Sequence, residues 1–194
     1  MGQDPRPEER LGLTRERDVS SLVRVRQEVD RRPELSVLVA CHSFLVAIPT
    51  RSVVRLHLPH EVSDVAIAGG RGPFLGTLRA SDRTCAAWDL ATMLELPPLT
   101  NAWVVLDVAR GTTRASIALR TGVCALVAEI SAESSLPGRI FRSRTQAFPA
   151  AFAASSLGSA NPALFGLWLD PARLFTDAEL AASCEAIARD GATR

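Results

Sequence analysis

Lysine is absent from this 194-residue chain, so arginine carries all the permanent positive side-chain charge, and 22 basic residues against 21 acidic ones leave a formal net charge of +1. A balance this close gives no overall field to attract nucleic acid or an acidic membrane, and neither partner is expected. Long apolar runs are also missing. No stretch approaches the roughly 20 residues that a spanning helix requires, so membrane insertion is not expected either. The N-terminus, MGQDPRPEERLG, is charged and lacks the apolar core of a secretory signal, which makes a cytoplasmic location the expectation. The four cysteines, Cys41, Cys85, Cys124 and Cys184, are widely spaced, and in a reducing compartment they read as small buried residues.

Parts for chemistry are equally scarce. His57-Leu58-Pro59-His60 puts two imidazoles close and Cys41-His42 offers a second pair, but alternation on a strand separates His57 from Leu58 and no four-ligand spacing follows. Gly69-Gly70-Arg71-Gly72 is followed by neither Gly-Lys-Ser/Thr nor a helix start, so it reads as a flexible loop and not as a phosphate cradle. The serines lack a Gly-x-Ser-x-Gly elbow, and no nucleophile, base and oxyanion donor assemble from the motifs present. The expectation is a protein with no catalytic residues, no metal and no cofactor.

What the chain does contain is concentrated between Pro73 and Pro98, PFLGTLRASDRTCAAWDLATMLELPP. Phe74, Leu75 and Leu78 precede a polar turn over Arg79-Ala80-Ser81-Asp82-Arg83, and the apolar run Cys85 to Trp88 follows at once, as in a hairpin. Asp89 then stands where its carboxylate can accept from the first amides of a helix. Leu90, Met93 and Leu94 recur at helical spacing until Pro97-Pro98 end it.

This order of strand, turn, strand and capped helix resembles the central signature of the CheW-like family, the adaptor fold of bacterial chemosensory arrays. In that family a glycine, an Asn-Leu-Arg-Gly turn, an apolar strand and an Asp-Leu helix start follow one another. Gly76, Cys85 to Trp88 and Asp89-Leu90 match the frame, whereas the turn reads Arg79-Ala80-Ser81-Asp82.

The remainder of the chain is read around that unit. Residues 1–34 form a charged arm in which Val19, Leu22, Val23 and Val29 fall on one helical face, so that Asp18 to Arg32 is a candidate amphipathic segment before Pro33. Leu35–Ala40 and Phe44–Ile48 form a hairpin about Cys41-His42-Ser43, followed by a helical turn near Pro49 and an outgoing strand through Arg55-Leu56-His57-Leu58. Trp103–Val108, Ala115–Leu119 and Val123–Ile130 are three further strands, and Leu164–Leu169 a last one. Between them, Ser131 to Pro162 interleaves Arg139, Arg142 and Arg144 with Ile140 and Phe141, which reads either as a solvated loop edge or as a basic contact patch. Thr176-Asp177-Ala178-Glu179 is a capping box opening a helix whose Leu180, Ala181, Cys184 and Ile187 are expected to pack on a barrel.

The resemblance covers roughly Leu35 to Phe175 and implies an all-β architecture: two small SH3-like five-stranded β-barrel subdomains over residues 35–175, with short helices and a C-terminal helix over residues 176–194. It also implies a noncatalytic adaptor that touches the regulatory domain of a histidine kinase by strand edges and the coiled-coil tip of a receptor by a groove. On that basis the expected partner-binding residues are Arg55, Leu56, Leu78, Arg79, Asp82, Arg83 and Arg120. Arg55 and Arg120 stand where the family usually carries acidic residues, which points to a divergent adaptor with altered partner choice. The alternative expectation is a barrel protein holding a small molecule in the cleft between subdomains, beside Trp88 or Trp103.

Overall fold

The computed structural model describes residues 33–57, 65–67, 72–80, 83–98, 102–122, 124–130, 134–135, 141–153 and 165–192. Residues 1–32 of the N-terminal arm, His60, Asp82 and Arg139 lie outside these residues. Twelve described strands form two sheets. Strands β1 (Glu34–Cys41), β2 (Phe44–Pro49), β9 (Cys124–Ile130), β10 (Ser134–Ser135), β11 (Ala150–Ala153) and β12 (Phe165–Trp168) make the first, in the order β10-β11-β12-β2-β1-β9. Strands β3 (Val53–His57), β4 (Val65–Ile67), β5 (Phe74–Ala80), β6 (Arg83–Asp89), β7 (Ala102–Arg110) and β8 (Thr113–Thr121) make the second, in the order β3-β7-β8-β6-β5-β4. Each sheet therefore has five longer strands and one short edge strand, and the chain opens in the first sheet, builds the whole of the second, and returns.

Hairpins account for the local pairings. β1 and β2 turn through His42-Ser43, with His42 in the left-handed region at φ 53°, and β7 and β8 turn through Gly111-Thr112. Of the long-range pairings, β1–β9 and β3–β7 are antiparallel, whereas β6 runs parallel beside β8, and β12 beside β2, which closes the returning chain onto its own beginning.

Three apolar cores follow from strand alternation. The largest lies between the sheets and takes Val37, Val39 and Val46 from one side and Trp88, Leu106 and Ile117 from the other. Each sheet also curls around a small core of its own, Leu38, Phe152 and Trp168 in the first, and Leu78, Cys85, Ala87, Trp103, Val105 and Ala118 in the second. The sheets touch directly where β8 ends. The Gly122 amide donates to the Ala40 carbonyl at 2.9 Å, and a Cβ on Gly122 would stand 2.5 Å from that same oxygen. Only glycine permits so close a backbone approach.

The α-helices among the described residues are α1 (Leu90–Met93), α2 (Pro171–Leu174) and α3 (Asp177–Ala192). Asp89 caps α1, accepting from the Thr92 amide at 2.6 Å, and Asp170 caps α2 through the Ala172 amide at 3.1 Å. The capping box of α3 is reciprocal: Glu179 N–H donates to Thr176 Oγ1 at 3.2 Å, and Thr176 N–H donates to Glu179 Oε2 at 2.8 Å.

One face of α3 differs from expectation. Leu180 is buried and Cys184 and Ile187 pack against the central core, but Ala181 is exposed and Ser183 takes its place. A step of one residue turns the helix by about 100°, which carries position 181 off the stripe defined by 180, 184 and 187, whereas position 183 stays on it. Buried Ser183 is satisfied, since its hydroxyl accepts from Trp88 Nε1 at 3.1 Å and donates to the Glu179 carbonyl at 2.7 Å.

Arg144 also departs from the expected basic edge. Its guanidinium pairs with Glu179 and donates to the Leu174 carbonyl, which ties the segment before β11 to α2 and α3, while Arg142 remains exposed. The patch read from the sequence is thus split between a structural clamp and a surface side chain.

Candidate functional site

The second sheet positions the candidate surface through its register. Across β3, β7, β8 and β6, the pairs His57↔Trp103, Trp103↔Arg120 and Arg120↔Asp89 place four side chains in one row on the face that carries Val105, Ala118 and Ala87. This row closes one end of the small barrel. Arg120 Nε lies 2.6 Å from Asp89 Oδ2, with Asp89 fully buried.

Among the described residues the other end carries Arg55, Arg83 and Arg114 beside Asp107. Arg55, Val105, Asp107, Ser116, Arg114, Arg83 and Ala80 share the same face by alternation and by the pairs Arg55↔Val105, Asp107↔Ser116 and Ala80↔Arg83. Val54, Arg55, Ala80, Arg83 and Val105 enclose a depression of about 250 Å³ at this mouth. Asp107 sits beside it, accepting from Ser116 Oγ at 3.1 Å, with Arg114 at 3.3 Å and Arg83 at 3.9 Å.

A β-bulge creates this mouth. Val53 pairs with Leu106 and Arg55 with Val105, so Val54 is an extra residue in β3. Were pairing to continue regularly from Val53, Val54 would stand opposite Val105 and Arg55 opposite Val104, facing the central core. With the bulge, Arg55 is turned towards the barrel mouth, while Leu56 returns to the central core and Val54 is left 44% exposed on an edge strand. An exposed valine flanked by arginines is an apolar contact with a charged rim.

The expected partner residues separate on this geometry. Arg55 and Arg83 meet at the mouth. Leu78 is fully buried in the small barrel core, and Leu56 packs against the central core. Arg79 pairs with Thr84 and so projects from the face of the hairpin opposite to Arg83. The two were expected in one turn; the strands run further than expected, to Ala80 and from Arg83, and alternation sends the side chains apart. Arg120 is committed to Asp89.

Sequence reasoning missed Val54, Asp107, Ser116 and Arg114. The signal available was the alternation of Val105, Asp107 and the facing Ser116 along two strands; the bulge at Val54 has no sequence mark, because Val53-Val54 reads as an ordinary apolar start.

The other groups considered for chemistry have packing roles. Burial, reinforced by the neighbouring Asp89 carboxylate, pushes the Cys41 thiol up to about 12, so it is protonated at neutral pH. His42 Nε2 lies 2.8 Å from the Pro97 carbonyl oxygen, and His57 is 5% exposed in the closed row. Trp88 packs on Phe74 and Phe175, with ring centroids 5.0 and 5.5 Å away, and Trp103 belongs to the small barrel core. Neither tryptophan is left to line an open ligand cleft.

No family model matches the chain, and no curated protein matches it in sequence. Among solved structures it is similar to the crystal structure of the scaffolding protein TtCheW from Thermoanaerobacter tengcongensis, with a TM-score of 0.55 and 13% identity, over 74% of this chain and 92% of that one. The fold is CheW-like. Two β subdomains with a shared apolar core and a C-terminal helix match the architecture expected from the central hairpin and its capped helix.

Proposed function

We propose that this protein is a noncatalytic adaptor of a bacterial chemosensory or motility complex, holding a histidine kinase regulatory domain, a receptor-like coiled coil or an equivalent signalling partner. The observation that carries the reading is the pairing of a CheW-like fold with an exposed apolar residue on a bulged edge strand, Val54, beside the Arg55 and Arg83 rim. Fold alone does not specify function, so the weight falls on that surface. Arg55, Arg83 and Val54 are the contact residues of this reading, with Arg79 on the opposite face of the neighbouring hairpin. The charged arm, expected to run to residue 34, is proposed to lie outside the adaptor domain up to Pro33, since Glu34 opens β1. A cytoplasmic location accords with the absence, among the described residues, of a helix long and apolar enough to cross a membrane.

Affinity capture from the native cell with the tagged protein tests the proposal. Recovery of a histidine kinase or a coiled-coil receptor above an untagged control is expected. Recovery of neither, with the tagged protein soluble and folded, overturns it.

A further inference from the structure

We infer that the amphipathic stretch of the N-terminal arm, Asp18 to Arg32, docks as a helix on the uncovered margin of the first sheet, over Leu35 and Val127. The inference needs no partner protein and so stands apart from the adaptor reading. Among the described residues four large apolar side chains are exposed, Leu35, Val54, Val127 and Phe165, and two of them share one surface. Val37 pairs with Val127 and Leu35 with Glu129, so alternation puts all four on the face of β1 and β9 that looks towards the second sheet. Val37 is sealed in the central core at 3% exposure, whereas Leu35 and Val127 beside it stand at 52% and 50%. The apolar face therefore continues past the point where the second sheet covers it.

The arm supplies a cover of matching chemistry. Val19, Leu22, Val23 and Val29 fall on one helical face, and Arg26 and Asp30 fall on the same stripe. Pro33 alone separates Arg32 from β1, and Val29 precedes Leu35 by six residues, a span of at most about 20 Å. The last apolar residue of the stripe is thus held near the patch by the chain itself, at the high effective concentration of a short tether. Counter-charges are also in place. Glu129 is exposed opposite Leu35, and Arg51, which pairs with Glu34 at the start of β1, keeps 74% of its side chain exposed. Arg26 is assigned to Glu129, and Asp30, one turn nearer to β1, to Arg51. A helix of about 15 residues is marginal in isolation, so this one forms where an apolar surface covers its stripe.

The test uses the full chain, isotopically labelled, with backbone carbon shifts and amide exchange as the readout. Helical carbon shifts over residues 19–29 are expected in the parent, together with slowed exchange there. Leu22→Asp, in the arm, and Val127→Asp, in the patch, each abolish both signals, and Leu22→Asp also moves the amides of Leu35, Val127 and Glu129. Arg26→Glu speeds exchange over residues 22–29 by roughly fivefold, the upper range for one exposed pair, and Glu129→Arg in the same chain recovers most of the protection. Arg24→Glu, on the opposite face of the helix, leaves the signals unchanged. Melting curves check that the Val127→Asp chain is folded, and Leu22→Asp, outside the two sheets, reads the same contact from the other side.

Random-coil shifts over residues 19–29 would mean that nothing docks. Extended shifts with new protection along β9 would mean strand pairing at the sheet edge, and patch shifts that depend on protein concentration would mean a second copy on the same surface. Each of these overturns the inference, as does an Arg24→Glu effect equal to that of Arg26→Glu, or an arm left unchanged by Val127→Asp. None of these outcomes bears on the adaptor reading, which capture from the native cell tests separately.

Discussion

Arg120 and Asp89 face each other across the parallel β6–β8 pair, with Nε 2.6 Å from Oδ2, and the same carboxylate caps α1 through the Thr92 amide. One aspartate thus ties a helix start to the neighbouring parallel strand of its sheet. Because Asp89 is fully buried, these donors take the place of water around its carboxylate oxygens.

Removing one member of a buried pair leaves the other uncompensated, at a cost of about 3 kcal/mol. Arg120→Ala is expected to lower stability by this order, whereas Arg83→Ala, on the surface, shifts it by less than about 0.5 kcal/mol. Urea denaturation of the two variants checks the contrast. Equal small losses would mean that Arg120 is available to a partner and not committed to the fold.

Gly166 lies opposite Phe152 across β11 and β12, and a Cβ added there would sit 1.9 Å from the phenylalanine ring. The ring fills the small core of the first sheet and cannot yield without moving Leu38 or Trp168. Gly166→Ala is expected to cost about 1–3 kcal/mol or more through overpacking. Combining it with Phe152→Leu should recover part of the loss, and a fully additive double variant would contradict the packing account.

Ser183 holds the Trp88 indole N–H inside the central core. Ser183→Ala leaves that donor buried and without its hydroxyl, at about 1–3 kcal/mol. Equilibrium unfolding monitored by tryptophan fluorescence reads both the stability change and the altered surroundings of Trp88. Unchanged stability would show that the hydrogen bond contributes nothing net.

Glu179 links stability to pH. Burial pushes its carboxyl up, but hydrogen bonds from the Arg144 guanidinium and from the amide and hydroxyl of Thr176 outweigh it and hold the group below its ordinary value of 4.5. A depressed folded pKa contributes stability above the unfolded value and loses it as pH falls through the folded one. Glu179→Gln is therefore expected to melt below the parent at pH 7, with the gap narrowing below about pH 4.5. A gap that stays constant to pH 3 would remove the carboxylate charge from the explanation.

Local chemistry made much of this fold legible beforehand. The β1–β2 and β5–β6 hairpins, the Asp89 cap and the Thr176–Glu179 capping box are each set by neighbours within a few residues, whereas α1, expected to run to Pro97-Pro98, already ends at Met93, with Glu95 in the left-handed region. What stayed hidden is non-local or depends on register. The Asp89–Arg120 and Arg144–Glu179 pairs join residues 31 and 35 positions apart, and charge alone does not name a partner at such distance. The candidate surface was half legible. Arg55 and Arg83 were singled out, but a one-residue bulge at Val54 decides that they share a face, and strand extension to Ala80 decides that Arg79 does not.

The most direct test of the central claim is site-specific photo-crosslinking in the native cell, with a benzophenone amino acid replacing Val54 in one strain and exposed Glu185 of α3 in another. The account predicts that position 54 yields a crosslink to a histidine kinase or coiled-coil receptor and position 185 yields none. No crosslink at 54, or equal yields from the two positions, would contradict the assignment of the barrel mouth as the partner surface.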